Sequence, residues 1–471
     1  MTIRRPTSAV EETQPSRRPT DGVARQPVFH PGENPGEKRR LKRILLVMMQ
    51  PPGSSGVQGL IYNKILPYLE LEGWEFHFAG PDPSLTSVLT EKVECPGTHL
   101  HYTRNVSWSR RFSVMKNRQP KSSAARLALG CLQLLSTWAE KLFRHDDNAY
   151  LKAGISQVVR EADSRFAFDL IAGKSPDFRI LDTVASLTST LGKPLVAMVV
   201  DPFGRRDGDV FSPYQPQRQR EILTQCSGAM FMSPLTLQRY VDADLVSADK
   251  AYVFTDSYPS SDSLYVSGCS VLAPVSHLGA SSHDCSQLRL AYLGMLPEWR
   301  PVDTLLDAVE RSGLPVYIDI FGFLYPEAES RIRSSAMLRS RIRANTAVSY
   351  SDSHAIAADC TAQLVVIGPR HLDNQPSKFF EYLGHRKPIF VIGPPGNPIE
   401  DIIHSLGIGV YCDVGDSDSI AQGFDRLHSN YQEMIESYER NRELVEQFSA
   451  PSVAAHWRYC LNRMLASARQ S

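Results

Sequence analysis

Short, almost wholly apolar runs recur along this chain at the spacing of strands joined by helices. KRILLVMM starts at 42, FDLIAG spans 168–173, KPLVAMVVDP 193–202 and GAMFMS 228–233. LRLAYLG (288–294), PVYIDIFG (315–322), AQLVVIG (362–368) and KPIFVIG (387–393) then repeat the pattern. A strand that is apolar on both faces must be covered on both, so such runs specify parallel sheets flanked by helices. The fold class expected is α/β, with two doubly wound, Rossmann-like domains facing across a cleft.

The pattern restarts once, and 471 residues exceed what one core usually serves. A first domain is expected over 41–275, including a further strand in CSVLAPVS (269–276). A Ser-rich linker over 276–287, a second domain over 288–450 and a C-terminal helix over 451–471, with a bend at Pro451, follow. Residues 1–40 are rich in Pro, Arg, Glu, Thr and Gly and have little to bury, so they read as a disordered tail. No apolar h-region follows Arg4 and Arg5, and no apolar run reaches the length of a membrane span.

Lys plus Arg and Asp plus Glu both number 51, so no global field favours nucleic acid and an electrostatic partner must be local. The eight cysteines lack a C-x-x-C pair or a metal-ligand spacing, which fits free thiols in the cytoplasm.

The first β-loop-α-β unit carries Gly53, Gly56 and Gly59, a G-x-x-G-x-x-G spacing in place of the dinucleotide G-x-G-x-x-G. Asp82 stands where a ribose-binding acid of a nicotinamide enzyme would follow the second strand. The preferred reading is a loop, centred on Gly56, whose backbone approaches a phosphate or sugar at a helix N-terminus. A tight turn without ligand is the plain alternative.

DNQPSKFFEYLGHRKP at 373–388 lies between two buried strands. Asn374 or Ser377 can cap a helix that Pro376 helps to initiate, presenting backbone N–H groups and a positive dipole end. A diphosphate suits that place, and Lys378 adds a point charge. Glu381 shares a helical face with Lys378, so an exposed ion pair is the competing reading. For Arg300 it is an ordinary surface arginine.

Three segments, YLGMLPEWRPVDTLLDAV, DNQPSKFFEYLGHRKPIFVIG and GIGVYCDVGDSDSIAQGF, together resemble the donor-binding half of GT-B glycosyltransferases, specifically the retaining group-1 (family 4) class. The resemblance covers 288–425 and is topological over 41–275. It implies that Glu381 accepts hydrogen bonds from the ribose hydroxyls of a nucleotide sugar. Asp373, where the class usually has Glu, would lie near the donor sugar. Gly294 is kept, Met295 replaces a phosphate-binding arginine, and Arg300 stands at the position of a lysine. Also implied are hexosyl transfer with retention, an acceptor on the first domain, and a last helix crossing back to that domain. The setting would be bacterial surface polysaccharide or glycolipid synthesis.

Arg300, Lys378, Ser377 and the helix amides would stabilise the departing diphosphate, with no metal or cofactor. A nucleotide-sugar epimerase and a catalytically degenerate binding scaffold are the alternatives.

On the acceptor side His77, His101 and Asp201 fall near presumed strand ends, and His101 and Asp201 are the candidates, against a structural role for each. Asp207-Gly208-Asp209 has the D-x-D form of a metal site but sits in a polar loop where solvated aspartates are expected. From Cys95 to Ala139 there is no Asp or Glu, while Arg104, Arg110, Arg111, Lys116, Arg118, Lys121 and Arg126 gather with Trp108, Phe112 and Met115. ARLALGCLQLLSTWAEKLFR follows at helical spacing. The segment 104–144 reads as a surface for an anionic membrane, each cation contributing about 1 kcal/mol near the lipid. The acceptor would then be a lipid-linked sugar. A solvated loop and a core helix are the competing reading.

Overall fold

The computed structural model describes residues 40–52, 57–71, 73–86, 99–117, 122–142, 147–175, 177–203, 215–259 and 287–470. The N-terminal tail, Gly53, Gly56, the Asp207-Gly208-Asp209 loop, CSVLAPVS and the linker up to 286 lie outside the described residues.

Seven parallel strands form the first sheet: β1 (Lys42–Val47), β2 (Trp74–Pro81), β3 (His99–Thr103), β4 (Leu170–Lys174), β5 (Leu195–Val199), β6 (Gly228–Phe231) and β7 (Ala251–Val253). Their order is β3-β2-β1-β4-β5-β6-β7. Six form the second: β8 (Leu288–Leu293), β9 (Val316–Phe321), β10 (Ile342–Asn345), β11 (Ala362–Val366), β12 (Ile389–Gly393) and β13 (Gly409–Asp413). Their order is β10-β9-β8-β11-β12-β13. Each sheet grows outward in both directions from one central pair, β1 with β4 and β8 with β11. In doubly wound sheets ligands bind beyond the carboxyl ends of the strands at that switch point.

The apolar runs are buried on both faces, as their composition requires. Leu45 and Val47 of β1 enter one core layer with Ile171, Leu181 and Phe231, while Ile44 and Leu46 enter the opposite layer with Tyr62, Phe78 and Met198. The second sheet is sandwiched in the same way, Leu364 and Val366 facing one layer and Val365 and Ile367 the other.

The Ala450–Ala468 helix belongs to the first core, although it follows the second sheet in sequence. Its Val453, Ala454, Trp457, Leu461 and Met464 pack with Ile44, Leu46, Tyr62 and Phe254. Each buried side chain of this size contributes about 1.5–3 kcal/mol, so the helix is held firmly. Backbone bonds from Tyr258 N to Phe448 O (3.0 Å) and from Ala450 N to Tyr258 O (3.1 Å) fix the point of return.

Candidate functional site

The carboxyl end of β8 supplies one wall. The chain leaves Leu293 through Gly294 at φ +130°, a region that side chains rarely adopt. A Cβ at Gly294 would run into Nζ of Lys378, so glycine lets that ammonium sit against the turn. Lys378 Nζ lies 4.6 Å from the ring centroid of Tyr292. Arg300 donates from Nη1 to the hydroxyl of the same tyrosine (3.4 Å) and stacks 4.5 Å from the Trp299 centroid. Gly294, Arg300 and Lys378 therefore meet around Tyr292. Burial pulls the Lys378 pKa down, Tyr292 opposes this and Arg300 adds repulsion. Among the described residues neither cation has an ion-pair partner.

Ser377 opens the two-turn helix Ser377–Leu383, but the cap expected from Asn374 or Ser377 is not made. Pro376 is the N-cap, at φ −61° and ψ 130°, and has no side-chain acceptor to offer. The carbonyl of Asn374 instead accepts from Asn397 Nδ2 at 2.9 Å. So short a helix adds only a weak dipole, and the positive field here comes mainly from the two side chains.

Both acids of the sequence pair face groups from the first sheet. Glu381 Oε1 lies 3.1 Å from Lys64 Nζ, on the Val57–Leu71 helix after β1, and accepts from the Tyr350 hydroxyl at 3.2 Å. Lys64 Nζ is also 2.9 Å from Oδ1 of Asp256, just past β7. Burial would raise the Glu381 pKa, but the charge of Lys64, the field of His354 and these hydrogen bonds hold it below the ordinary carboxylate value. Burial would likewise lower Lys64, and the two carboxylates outweigh it. Asp256 is pushed up by burial, which Lys64 only partly offsets.

Asp373, in the loop beyond β11, is 3% exposed. It accepts from Thr236 Oγ1 at 3.0 Å and lies 3.6 Å from Arg239 Nη1, both on the Pro234–Asp242 helix after β6.

The first sheet contributes a further cation at its own switch point. Lys174, the last residue of β4, is 1% exposed, with Nζ 4.6 Å from the Tyr62 centroid and no hydrogen-bond partner among the described residues. Burial brings its pKa down to about 7, against the pull of Asp201 and Asp256. Asp256 Oδ2 and Arg300 Nε are likewise buried without a hydrogen bond among the described residues. Buried polar atoms are normally satisfied, so Lys174 Nζ and Asp256 Oδ2, on residues that feel each other's charge, suit a polar ligand that completes their bonding.

Asp201 follows β5, its N–H donating to Ser175 Oγ at 3.1 Å, and acts on Lys174 through its charge. His101 lies within β3, level through Ala79 with Val47 at the end of β1, beside His77 and Phe166. A concavity of about 490 Å³ lined by Glu400, His404, Tyr411 and Arg426 opens at β13 and includes none of these residues.

The reading of the sequence missed Lys64, Asp256, Lys174, Thr236, Arg239 and Tyr350. Two of them left a signal. Lys64 stands three positions after buried Ile61 on the inward stripe of its helix, and Lys174 closes an apolar run with a charge.

The Trp108–Asn117 and Ser123–Leu142 helices pack against each other and leave Trp108, Leu127, Leu134, Leu135 and Trp138 between 54% and 73% exposed. Leu127, Cys131, Leu134 and Trp138 succeed one another at spacings of four, three and four, which places them on one helical face. No described helix is long and apolar enough to cross a membrane.

No protein-family model matches the chain, and no curated protein matches it in sequence. Solved structures do match. Anabaena HepE, in complex with UDP-glucose, is 15% identical with a TM-score of 0.59, over 89% of this chain and 99% of that one. A sucrose-phosphate synthase from Thermosynechococcus elongatus is 10% identical with a TM-score of 0.59, over 90% and 99%. A putative UDP-N-acetylglucosamine 2-epimerase from Listeria monocytogenes is 9% identical with a TM-score of 0.50, over 88% and 94%. At such identities the likeness is one of fold: the chain has the GT-B architecture.

Proposed function

We propose that the protein is a glycosyltransferase that takes a sugar from a nucleotide-sugar donor held against the second sheet and passes it to an acceptor held against the first. The observation that carries this reading is the meeting of Gly294, Arg300 and Lys378 at the β8 end, with Glu381 one helical turn beyond Lys378. A nucleoside diphosphate offers a ribose diol and two phosphate charges. Lys378 and Arg300 match the phosphates, the place a divalent ion would otherwise fill. Glu381 Oε1 serves Lys64 and Tyr350, and Oε2 makes no hydrogen bond among the described residues, so it suits the ribose hydroxyls.

As the bond from the anomeric carbon to the diphosphate breaks, negative charge grows on the departing phosphate oxygens. Two cations fixed beforehand by Tyr292 and Trp299 lower that barrier without reorganising. Asp373, anchored by Thr236 and Arg239, stands by the donor sugar, and attack from the face of the departing phosphate gives retention. Lys174 and Asp201, at the carboxyl end of the first sheet, are the acceptor-side groups. The likeness to HepE, whose structure holds UDP-glucose, supports a donor of this class.

The exposed apolar face of the Ser123–Leu142 helix, with Arg110, Arg111, Lys116 and Arg126 on the same pair of helices, suits an anionic lipid surface. The acceptor is then a lipid-linked saccharide at the cytoplasmic face of a membrane, in surface polysaccharide or glycolipid synthesis.

Turnover with a panel of nucleotide sugars separates the readings. A transferase releases nucleoside diphosphate faster when a membrane-lipid extract is added. Acceptor-free conversion of the donor into its epimer, followed by NMR, would establish an epimerase instead. Nucleotide binding with neither reaction would leave a binding scaffold.

A further inference from the structure

Away from this cleft, β2 and edge strand β3 bring one carboxylate and three imidazoles onto one face. His77 pairs with His99 and Ala79 with His101 in register, and residues two apart share a face, so Glu75, His77, His99 and His101 lie together. Glu75 Oε1 is 2.7 Å from His77 Nε2 and 3.3 Å from His99 Nε2. These three atoms all lie within 4.8 Å of one another. The His77 ring stacks on His99 with centroids 4.3 Å apart and on His101 at 5.3 Å. Phe166 and Phe168 cover the cluster, with centroids 4.4 and 4.9 Å from that of His77.

We propose that Glu75, His77 and His99 form a binding site for a divalent transition-metal ion, with zinc the best fit to two imidazoles and one carboxylate. Ligand distances to zinc are about 2.0–2.2 Å, so Glu75 Oε1 and His77 Nε2 must move apart and the half-exposed His99 ring must turn out of its stack on His77 for the three donors to converge on one ion. The remaining contacts are those that orient ligands. Arg43 Nε holds the other carboxylate oxygen, Oε2, at 2.8 Å, leaving Oε1 to turn inward. His101 Nε2 lies 3.0 Å from His77 Nδ1 and can accept its N–H, fixing the tautomer that exposes the Nε2 lone pair. His77 is fully buried, so its ring is held in place by the packing around it. His99 is nearly half exposed and provides the way in from the sheet edge. An ion held by Glu75, His77 and His99 would tie the edge strand to β2.

The test titrates the chelator-treated full-length protein with Co(II) and Zn(II). The expected result is one ion bound per chain, visible d–d absorption for Co(II), and a rise in melting temperature with Zn(II). His99→Ala and Glu75→Gln, the more accessible positions, should each weaken binding at least about tenfold. Nucleotide binding should be unchanged in both, which separates this site from the donor site. If zinc binds equally to both variants, or cobalt gives no ligand-field bands, the assignment is overturned. Wild-type protein that binds neither ion overturns it too.

Discussion

Lys64 Nζ stands 3.1 Å from Glu381 Oε1 and 2.9 Å from Asp256 Oδ1, so one buried ammonium joins the helix after β1 to the helix after β11. Burying such charges costs several kcal/mol each before pairing returns it, and removing one partner leaves the others uncompensated. Lys64→Met strands two carboxylates. It should lower unfolding free energy by about 3–5 kcal/mol, read by urea denaturation. A loss within about 0.5 kcal/mol would mean that the bridge is not formed in solution.

Lys174 gives the cleft a measurable pH signature. Its folded pKa of about 7 lies below the ordinary value of 10.5. Between these the unfolded chain binds a proton that the folded chain does not, so stability rises with pH across that window and is flat below it. Lys174→Met should abolish that slope and stabilise the protein at pH 7 by on the order of 2 kcal/mol. Transfer to acceptor should fall at the same time. Denaturation curves from pH 6 to 10 on both proteins check the slope, and an unchanged slope would remove the buried, ionisable Lys174 from the picture.

Gly294→Ala tests the phosphate wall. The new Cβ meets Lys378 Nζ at a backbone angle costly to side chains. The expected outcome is a stability loss of about 1–3 kcal/mol and nucleoside-diphosphate affinity reduced at least about tenfold, measured by calorimetry. Affinity for the free nucleoside should hardly change, because no phosphate is present to miss the displaced ammonium.

The proposed docking to lipid would have two separable components. Replacing Leu127, Leu134 and Trp138 with Ser removes the apolar face and should abolish flotation with vesicles at any salt concentration. Replacing Arg110, Arg111 and Arg126 with Gln should weaken binding to anionic vesicles by on the order of 3 kcal/mol at low salt only. Vesicle binding indifferent to both sets of changes would contradict the lipid assignment of this surface.

The sequence makes the central strands plain, because a run such as LLVMM must be buried on both faces. Edge strands carry no such mark: β3 (HLHYT) and β10 (IRAN) are mostly half exposed or exposed, and their residues fit a loop equally well. The meeting of Gly294, Arg300 and Lys378 was legible because, with Glu381, they fall in two short segments at the ends of recognisable strands. Their partners were not, since Lys64 is 317 residues from Glu381, and Thr236 is 137 from Asp373. The helical spacing places Lys64 on the inward stripe with Ile61, but only the folded chain shows which carboxylates it meets there. The helix cap failed for a local reason: Pro376 takes the position that Asn374 or Ser377 would have needed.

The ribose role of Glu381 is the claim on which the donor site rests, and calorimetry with nucleoside diphosphates and their 2′-deoxy counterparts tests it most directly. Wild-type protein should bind at least one ribonucleoside diphosphate and lose about 1–3 kcal/mol when the 2′-hydroxyl is removed. Glu381→Ala should bind both forms weakly and equally. If no nucleoside diphosphate binds the wild type, or if Glu381→Ala still discriminates ribose from deoxyribose, the donor site lies elsewhere.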